Sequence, residues 1–210
     1  MSSRNNILAR LRAVTPVARE KVEQSYQQTF DAEPLVQFKT ALQAVQGDVA
    51  YIRPQQLTQT LDEYCQKLQI QTYSCAQQTW LSDCLAEFRQ LENYQWLAPE
   101  AVVEDRPVLF HKLDLGITSA VGWIAETGTV VLASSACEPR ALSLVPPCHI
   151  AIVRESDGCM HMAEFMAEQT KPLPTNLIMV SGPSKTADIQ QTLAYGAHGP
   201  ARFMVIVLQE

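Results

Sequence analysis

Asn176-Leu-Ile-Met-Val-Ser-Gly-Pro-Ser-Lys-Thr-Ala-Asp-Ile-Gln-Gln-Thr-Leu-Ala-Tyr-Gly-Ala-His-Gly-Pro200 is the stretch from which the fold is read. Leu177 to Val180 is an unbroken apolar run, the pattern of a strand covered on both faces in a parallel sheet. Gly182 and Pro183 interrupt it. Ser184 or Thr186 then stands where a helix N-cap is wanted, and Asp188 falls in the first turn, where a carboxylate complements the helix dipole. Ile189 and Leu193 are four apart and share the inner face. Gly196 suits a left-handed C-cap, and residues 203–208 are a second apolar run. The pattern predicts a β-loop-α-loop-β unit with a short crossover.

Upstream, residues 121–125 and 129–133 flank Glu126-Thr-Gly128 and predict an antiparallel hairpin, with Gly128 supplying the positive φ of its turn. Residues 139–144 read as a short helix halted by Pro146 and Pro147. Residues 149–153 read as a buried strand, and Ser156 as the cap of a helix across 160–168. Residues 108–111 read as a further strand. The sum is an α/β chain with a mostly parallel mixed sheet and helices on its faces.

Seven of the eight glycines fall between Gly116 and Gly199, whereas the first hundred residues hold only Gly47. That asymmetry divides the chain into a glutamine-rich, helical front and a strand-and-turn back. In the front, helices are predicted over 3–12 (capped by Ser3), 17–29, 35–46, 55–68 and 77–90, with short strands at 49–52 and 71–74. Residues 1–47 are expected to be an N-terminal helical segment packed on an α/β domain of residues 48–210.

A chain of 210 residues can bury a substantial core. Its net charge of -6, with no basic cluster, argues against a general nucleic-acid binder. No apolar run reaches the roughly 18–20 residues of a membrane helix, and no signal core opens the chain, so a cytoplasmic location is expected. The 6 cysteines lack metal or disulfide-scaffold spacing and are expected to be reduced thiols. No spacing suggests zinc or an iron–sulfur cluster.

The Gly182-Pro-Ser-Lys-Thr186 loop is the first candidate site. A glycine turn leading into a helix leaves backbone N–H groups free for a carboxylate or phosphate. Ser184 and Thr186 add hydroxyls, Lys185 adds charge, and Asp188 closes the set. The spacing is neither a Walker loop nor a dinucleotide fingerprint, and a turn that merely starts a helix is the competing reading. Glu126, at a hairpin tip, can be a nucleophile, a general base or a solvated turn residue. Arg140 can hold a carboxylate bidentately or tie its loop by an ion pair to Glu138. His198, between small residues, has a free ring for proton transfer or fixes its turn. His149 reads as a core histidine. Cys148 and His149 are strand neighbours that point to opposite faces and so form no dyad.

Taken with Ala125-Glu-Thr-Gly-Thr129, Glu138-Pro-Arg-Ala-Leu-Ser-Leu-Val-Pro-Pro147 and His149, the opening stretch resembles the lactate utilisation protein C (LutC/YkgG) family over roughly residues 116–208. The resemblance implies a three-layer α/β/α fold of the sugar-isomerase/CoA-transferase type. It also implies a subunit of a bacterial system oxidising L-lactate to pyruvate, with iron–sulfur clusters on partner proteins. Such a subunit would bind a small carboxylate or phosphate near Ser184, Thr186, Arg140 and His198. Cys137 departs from the small or polar residue usual in that family, which weighs against a catalytic role for it. The Ala-Glu-Thr-Gly segment is loosely similar to the glutamate-bearing segment of CoA transferases. An autonomous acyl- or CoA-transferring enzyme or ligase with Glu126 as nucleophile is therefore an alternative, as is a non-catalytic assembly or regulatory module. Whether the chain forms a homo-oligomer is left open.

Overall fold

The computed structural model describes residues 3–13, 29–77, 79–168, 174–187 and 193–209. Its helices are α1 (Ser3–Ala13), α2 (Pro34–Ala44), α3 (Leu57–Leu68), α4 (Trp80–Cys84), α5 (Pro99–Glu104), α6 (Arg106–His111), α7 (Ala141–Leu144) and α8 (Met162–Glu168). The strands are β1 (Asp48–Ile52), β2 (Thr72–Cys75), β3 (Gln95–Trp96), β4 (Leu115–Ser119), β5 (Gly122–Ile124), β6 (Thr129–Ala133), β7 (Cys148–Arg154), β8 (Gly158–Cys159), β9 (Leu177–Val180), β10 (Lys185–Ala187), β11 (Leu193–Tyr195) and β12 (Arg202–Leu208). Six of them form a wholly parallel sheet in the order β1-β12-β7-β4-β2-β3.

The inner strands of this sheet are apolar on both faces, as a doubly covered parallel sheet requires. Along β7, Ile150 and Ile152 join a core with Leu61 and Cys65 of α3 and Leu81 of α4. Ala151 and Val153 face the other way, toward Phe38 and Leu42 of α2 and toward Trp123, Val130 and Leu132. Those last three belong to a second sheet, ordered β8-β5-β6-β9, which shares that face with α2. Behind it Phe165 of α8 packs on Ile124 and Val131. Cys148 and His149 thus lie on opposite faces, as expected: Cys148 packs in the α3 core, while His149 stacks on Phe203 at 5.2 Å.

The hairpin of β5 and β6 forms as expected, with Gly128 at φ 60. A Cβ there would sit 2.5 Å from the Leu42 nitrogen, so both the turn and its packing on α2 require glycine. The expected helix over 3–12 and those over 35–46, 55–68 and 139–144 are present as α1, α2, α3 and α7. The helix expected over 17–29 lies almost wholly outside the described residues. Among the described residues no helix is long and apolar enough to cross a membrane.

Three local readings are corrected, and one strand is added. Residues 108–111 are helical, because Asp105 caps α6 by accepting from the Val108 N–H and Pro107 sits in its first turn. The strand in that region is β4, fully buried but masked in sequence by Gly116 and its hydroxyl residues. The helix expected over 77–90 is only α4 plus a 3-10 turn at Phe88–Gln90. Ser156 does not cap α8, since it lies in the 3-10 turn Glu155–Asp157, and Gly158–Cys159 forms β8 before the helix starts.

The largest correction concerns the opening stretch. Leu177–Val180 is not a central parallel strand; it is the edge of the second sheet, antiparallel to β6. Its run is apolar because both faces touch core: Leu177 packs by Phe165, while Ile178 and Val180 pack on the α2 side. After Gly182 the chain enters β10, which pairs antiparallel with β11, instead of a helix capped by Ser184 or Thr186. Asp188 and Ile189 lie outside the described residues. Gly196 does adopt a left-handed φ of 77, but it ends a strand and not a helix.

Candidate functional site

Three turns converge where the second sheet meets the amino ends of β7 and β12. Thr129 opposes Ser181 just beyond the β6–β9 ladder, and a hydroxyl chain crosses there. Thr127 Oγ1 lies 2.6 Å from Thr129 Oγ1, which lies 2.6 Å from Ser181 Oγ. That chain joins the Glu126-Thr-Gly-Thr129 turn to the Ser181-Gly-Pro-Ser184 loop. The Ser184 N–H donates to the Pro200 carbonyl at 2.8 Å, and the Gly196 N–H donates to the Ser184 carbonyl at 2.9 Å. Gly199 comes so near that a Cβ on it would lie 3.2 Å from the Ser184 Cβ. The 126–129 turn is thereby bound into one surface with the 181–184 and 196–200 turns, more than fifty residues further on.

This surface borders a cleft of about 600 Å³ lined by Gln43, Gln46, Asp48, Pro183, Tyr195 and Arg202, among others. Lys185 is paired with Tyr195 across β10 and β11, so both project to the same side of the hairpin. Lys185 and His198 are exposed, Ser184 and Thr186 half-buried. Gly182 holds a φ of 125 beside Val45. The Ser184 amide is already engaged, so the hydroxyls and cations, not a helix N-terminus, are what this surface can offer an anion.

Glu126 stands at the hairpin tip but is not free. One carboxylate oxygen lies 2.8 Å from His161 Nδ1; the other accepts the N–H of Met162, the first residue of α8, at 3.1 Å. The hydrogen bond from His161 is the main cause that lowers its pKa below the ordinary carboxyl value. Glu164 completes the cap by accepting from the N–H groups of Met160 and His161. His161 carries no sequence motif. Its pairing with Glu126 is formed only by the fold.

Arg140 precedes α7, exposed, and shares a narrow cleft with Thr118, Ser134, Ser143 and Glu138. Among the described residues it makes no ion pair with Glu138. Glu138 instead turns inward, 7% exposed, and accepts both the N–H and the hydroxyl of Ser119, the latter at 2.6 Å. Burial pushes its pKa up to about 7, against the pull of the two Ser119 bonds. The sequence offered Glu138 only as a partner for Arg140. What it could not show was that β4 ends at Ser119 directly above that carboxylate. His149 is wholly buried, 2.8 Å from Thr118 Oγ1, and burial lowers its pKa to about 3, as befits a core histidine. Burial likewise raises the thiols of Cys65, Cys75, Cys84, Cys148 and Cys159, so none of these is poised as a thiolate.

The structure therefore brings Gly182, Ser184, Lys185 and Thr186 together with the His198 turn, and links the Glu126 turn to them through hydroxyls. Arg140 stands apart. It sits at the start of α7, whereas the Gly199 turn approaches the Leu144 carbonyl at the helix's other end.

A parallel α/β sheet backed by a second, mixed sheet, with three turns tied together by hydrogen bonds, is the architecture of this protein. Residues 35–208 match the LUD domain, and the chain belongs to that family. It is 32% identical to the uncharacterized protein NMB1437 of Neisseria meningitidis serogroup B, over 99% of this chain and 94% of that one. It is 35% identical to lactate utilization protein C of Halalkalibacterium halodurans, over 58% of this chain and 54% of that protein. Lactate utilization protein C 1 of Bacillus mycoides is 39% identical over 46% of this chain and 44% of its own length. The matched stretch thus spans about half the length of these two relatives, and it bears out the resemblance to the LutC family. In fold, the chain is similar to a DUF162 family protein from Deinococcus radiodurans, with a TM-score of 0.59 at 22% identity, covering 86% of this chain and 99% of that one.

Proposed function

We propose that this chain is a component of a bacterial system that oxidises L-lactate to pyruvate, in which it binds a small anionic ligand while iron–sulfur partner proteins carry the electrons. The observation that supports the ligand site is the joining of three turns by hydrogen bonds beside a cleft that Pro183, Tyr195 and Arg202 help to line. Hydrogen bonds tie Thr127, Thr129, Ser181, Ser184, Gly196 and Pro200 into a rigid rim, and rigid rims preorganise the groups they carry. Lys185, His198 and the hydroxyls of Ser184 and Thr186 are the groups on that rim able to meet a carboxylate or phosphate. The relatives named for lactate utilization support the physiological role. A CoA-transferase-like nucleophile at Glu126 finds no support in its geometry, since both carboxylate oxygens are already engaged.

Deletion of the gene in the source organism is expected to abolish growth on L-lactate while sparing growth on pyruvate. A K185A/H198A double variant should restore that growth poorly, and iron–sulfur proteins should co-purify with the chain from lactate-grown cells. Wild-type lactate oxidation in the deletion strain would remove the reading altogether.

A further inference from the structure

Parallel α/β sheets hold ligands outside the carboxyl ends of their strands, at points where flanking connections leave to opposite faces. One such point stands over the end of β12. On one side of it β1 passes into α3, whose Leu57 and Leu61 pack with Ile206 and Leu208. On the other side β7 passes to β8, which pairs with β5 of the second sheet. Between the two exits lies a crevice of about 160 Å³, lined by Pro54, Arg154, Leu208, Gln209 and, from α4, Trp80 and Cys84. The Gln209 N–H donates to the Ile52 carbonyl at 2.8 Å, which fixes one edge. Pro54 and Gln209 also border a wider recess of about 450 Å³ that Arg53 helps to line. Arg154 is exposed, and its guanidinium carbon lies 4.6 Å from the Trp80 ring centroid. Arg154 and Asp83 both act on the Cys84 thiol, which burial raises and the Arg154 charge pulls back. Among the described residues neither Arg154 nor Arg53 forms an ion pair.

We propose that this crevice is a second ligand site, for a small aromatic carboxylate whose ring packs against Pro54, Trp80 and Leu208 while its carboxylate meets Arg154. The size fits, since a cavity of about 150 Å³ accommodates a benzene ring. The walls fit as well: an indole, a proline ring and a buried leucine favour a flat apolar group. The charge fits because a guanidinium steadied on an aromatic face still offers its planar fork to a carboxylate. A carboxylate carried on a longer spacer reaches toward Arg53 in the adjoining recess. The site is distinct from the three-turn cleft: β12 begins at Arg202, which lines that cleft, and ends at Leu208, which lines this one. It stands or falls independently of the function proposed above.

The chain has 3 tryptophans, so its indole N–H groups give a few well-separated NMR signals, and W80F identifies the one that belongs to Trp80. Titration of the full chain with benzoate, phenylacetate, benzyl alcohol and acetate then reads the crevice directly. Benzoate and phenylacetate are expected to shift the Trp80 signal, with affinities about tenfold or more above those of benzyl alcohol, which lacks the charge, and acetate, which lacks the ring. R154A should weaken benzoate by about tenfold, and R154K by less, because an ammonium keeps the charge but not the fork. Arg154 is exposed, so the variants are expected to fold, and their melting temperatures check this. A Trp80 signal that none of the probes moves overturns the site. So does unchanged benzoate affinity in R154A, an equal response to acetate or benzyl alcohol, or a shift confined to Trp96 or Trp123.

Discussion

Two turns around the same sheets each hold a glutamate, and the two are opposites. Glu126 is half-buried on the rim of the hairpin, paired with His161 and the first amide of α8, and its pKa is lowered. Glu138 is buried under the end of β4, where among the described residues its carboxylate meets Ser119, and its pKa is raised to about 7. Sequence treats them alike, since both stand in turns beside small or rigid residues. The fold separates them by what it places opposite: an imidazole and a helix end in one case, a hydroxyl and a dry wall in the other. Environments that push two carboxyls apart divide their chemical roles. Here Glu126 is tied down by its partners and held as a carboxylate, while burial holds the proton of Glu138 toward neutrality.

The severest way to break this contrast is to displace one turn and leave the other. Gly116 of β4 faces α7 so closely that a Cβ on it would lie 1.9 Å from the Leu142 carbonyl oxygen. Gly116→Ala must push α7 off the sheet and carry Glu138 and Arg140 with it. The expected cost is large, about 4 kcal/mol or more, because the obstacle is backbone and not a flexible side chain. Urea unfolding would measure it. A G116A protein as stable as the parent would mean that α7 does not lie where Glu138 needs it.

The next effect is smaller and sharper. Because Glu138 has a folded pKa above its unfolded one, the folded state retains a proton that the unfolded chain has lost between the ordinary carboxyl range and pH 7. Stability contributed by that proton is fully present below the unfolded value and declines as pH rises toward about 7, flattening beyond it. The decline is on the order of 3 kcal/mol. Glu138→Gln removes the titration, so unfolding free energies across this range should lose that downward slope. An identical slope in E138Q would show that Glu138 is ionised at its ordinary value.

How much of this was legible beforehand follows from where each residue draws its partners. The strands β7 and β12 could be read because their neighbours on both faces are apolar, and the sequence records that directly. The hairpin of β5 and β6 could be read because Gly128 marks its turn. Leu177–Val180 misled because an apolar run reports covered faces, not position in a sheet; an edge strand between two cores gives the same letters. That error carried the helix with it, since Ser184 and Thr186 are equally good as N-caps or as hairpin residues. Strand β4 was hidden for the converse reason. Gly116, Thr118 and Ser119 look like a turn, yet Gly116 is demanded by α7, Thr118 by His149 and Ser119 by Glu138. The loop segments later found side by side were quoted correctly from sequence, but their meeting depends on the β6–β9 pairing, which no local pattern encodes.

The mildest test bears on Glu126, and it has the opposite sign in pH. Its folded pKa lies below the unfolded value, so the stability it contributes is present above the ordinary carboxyl value and is lost as pH falls through the folded one. Glu126→Gln keeps an acceptor for the Met162 N–H and a side chain of the same shape, but removes the charge that faces His161 and the positive end of α8. The expected loss at neutral pH is about 1 kcal/mol, the scale of one charge-assisted bond at a partly exposed position. On the acid side the variant should be less sensitive than the parent, so the two unfolding curves converge as pH drops. If Glu126 were instead the nucleophile of an acyl-transferring enzyme, incubation with an acyl-CoA would leave a thioester on it that mass spectrometry detects, and E126Q would abolish it. With both oxygens committed to His161 and Met162, the expected mass spectrum shows no adduct, and a loss of stability that fades as pH drops is the signature of the substitution.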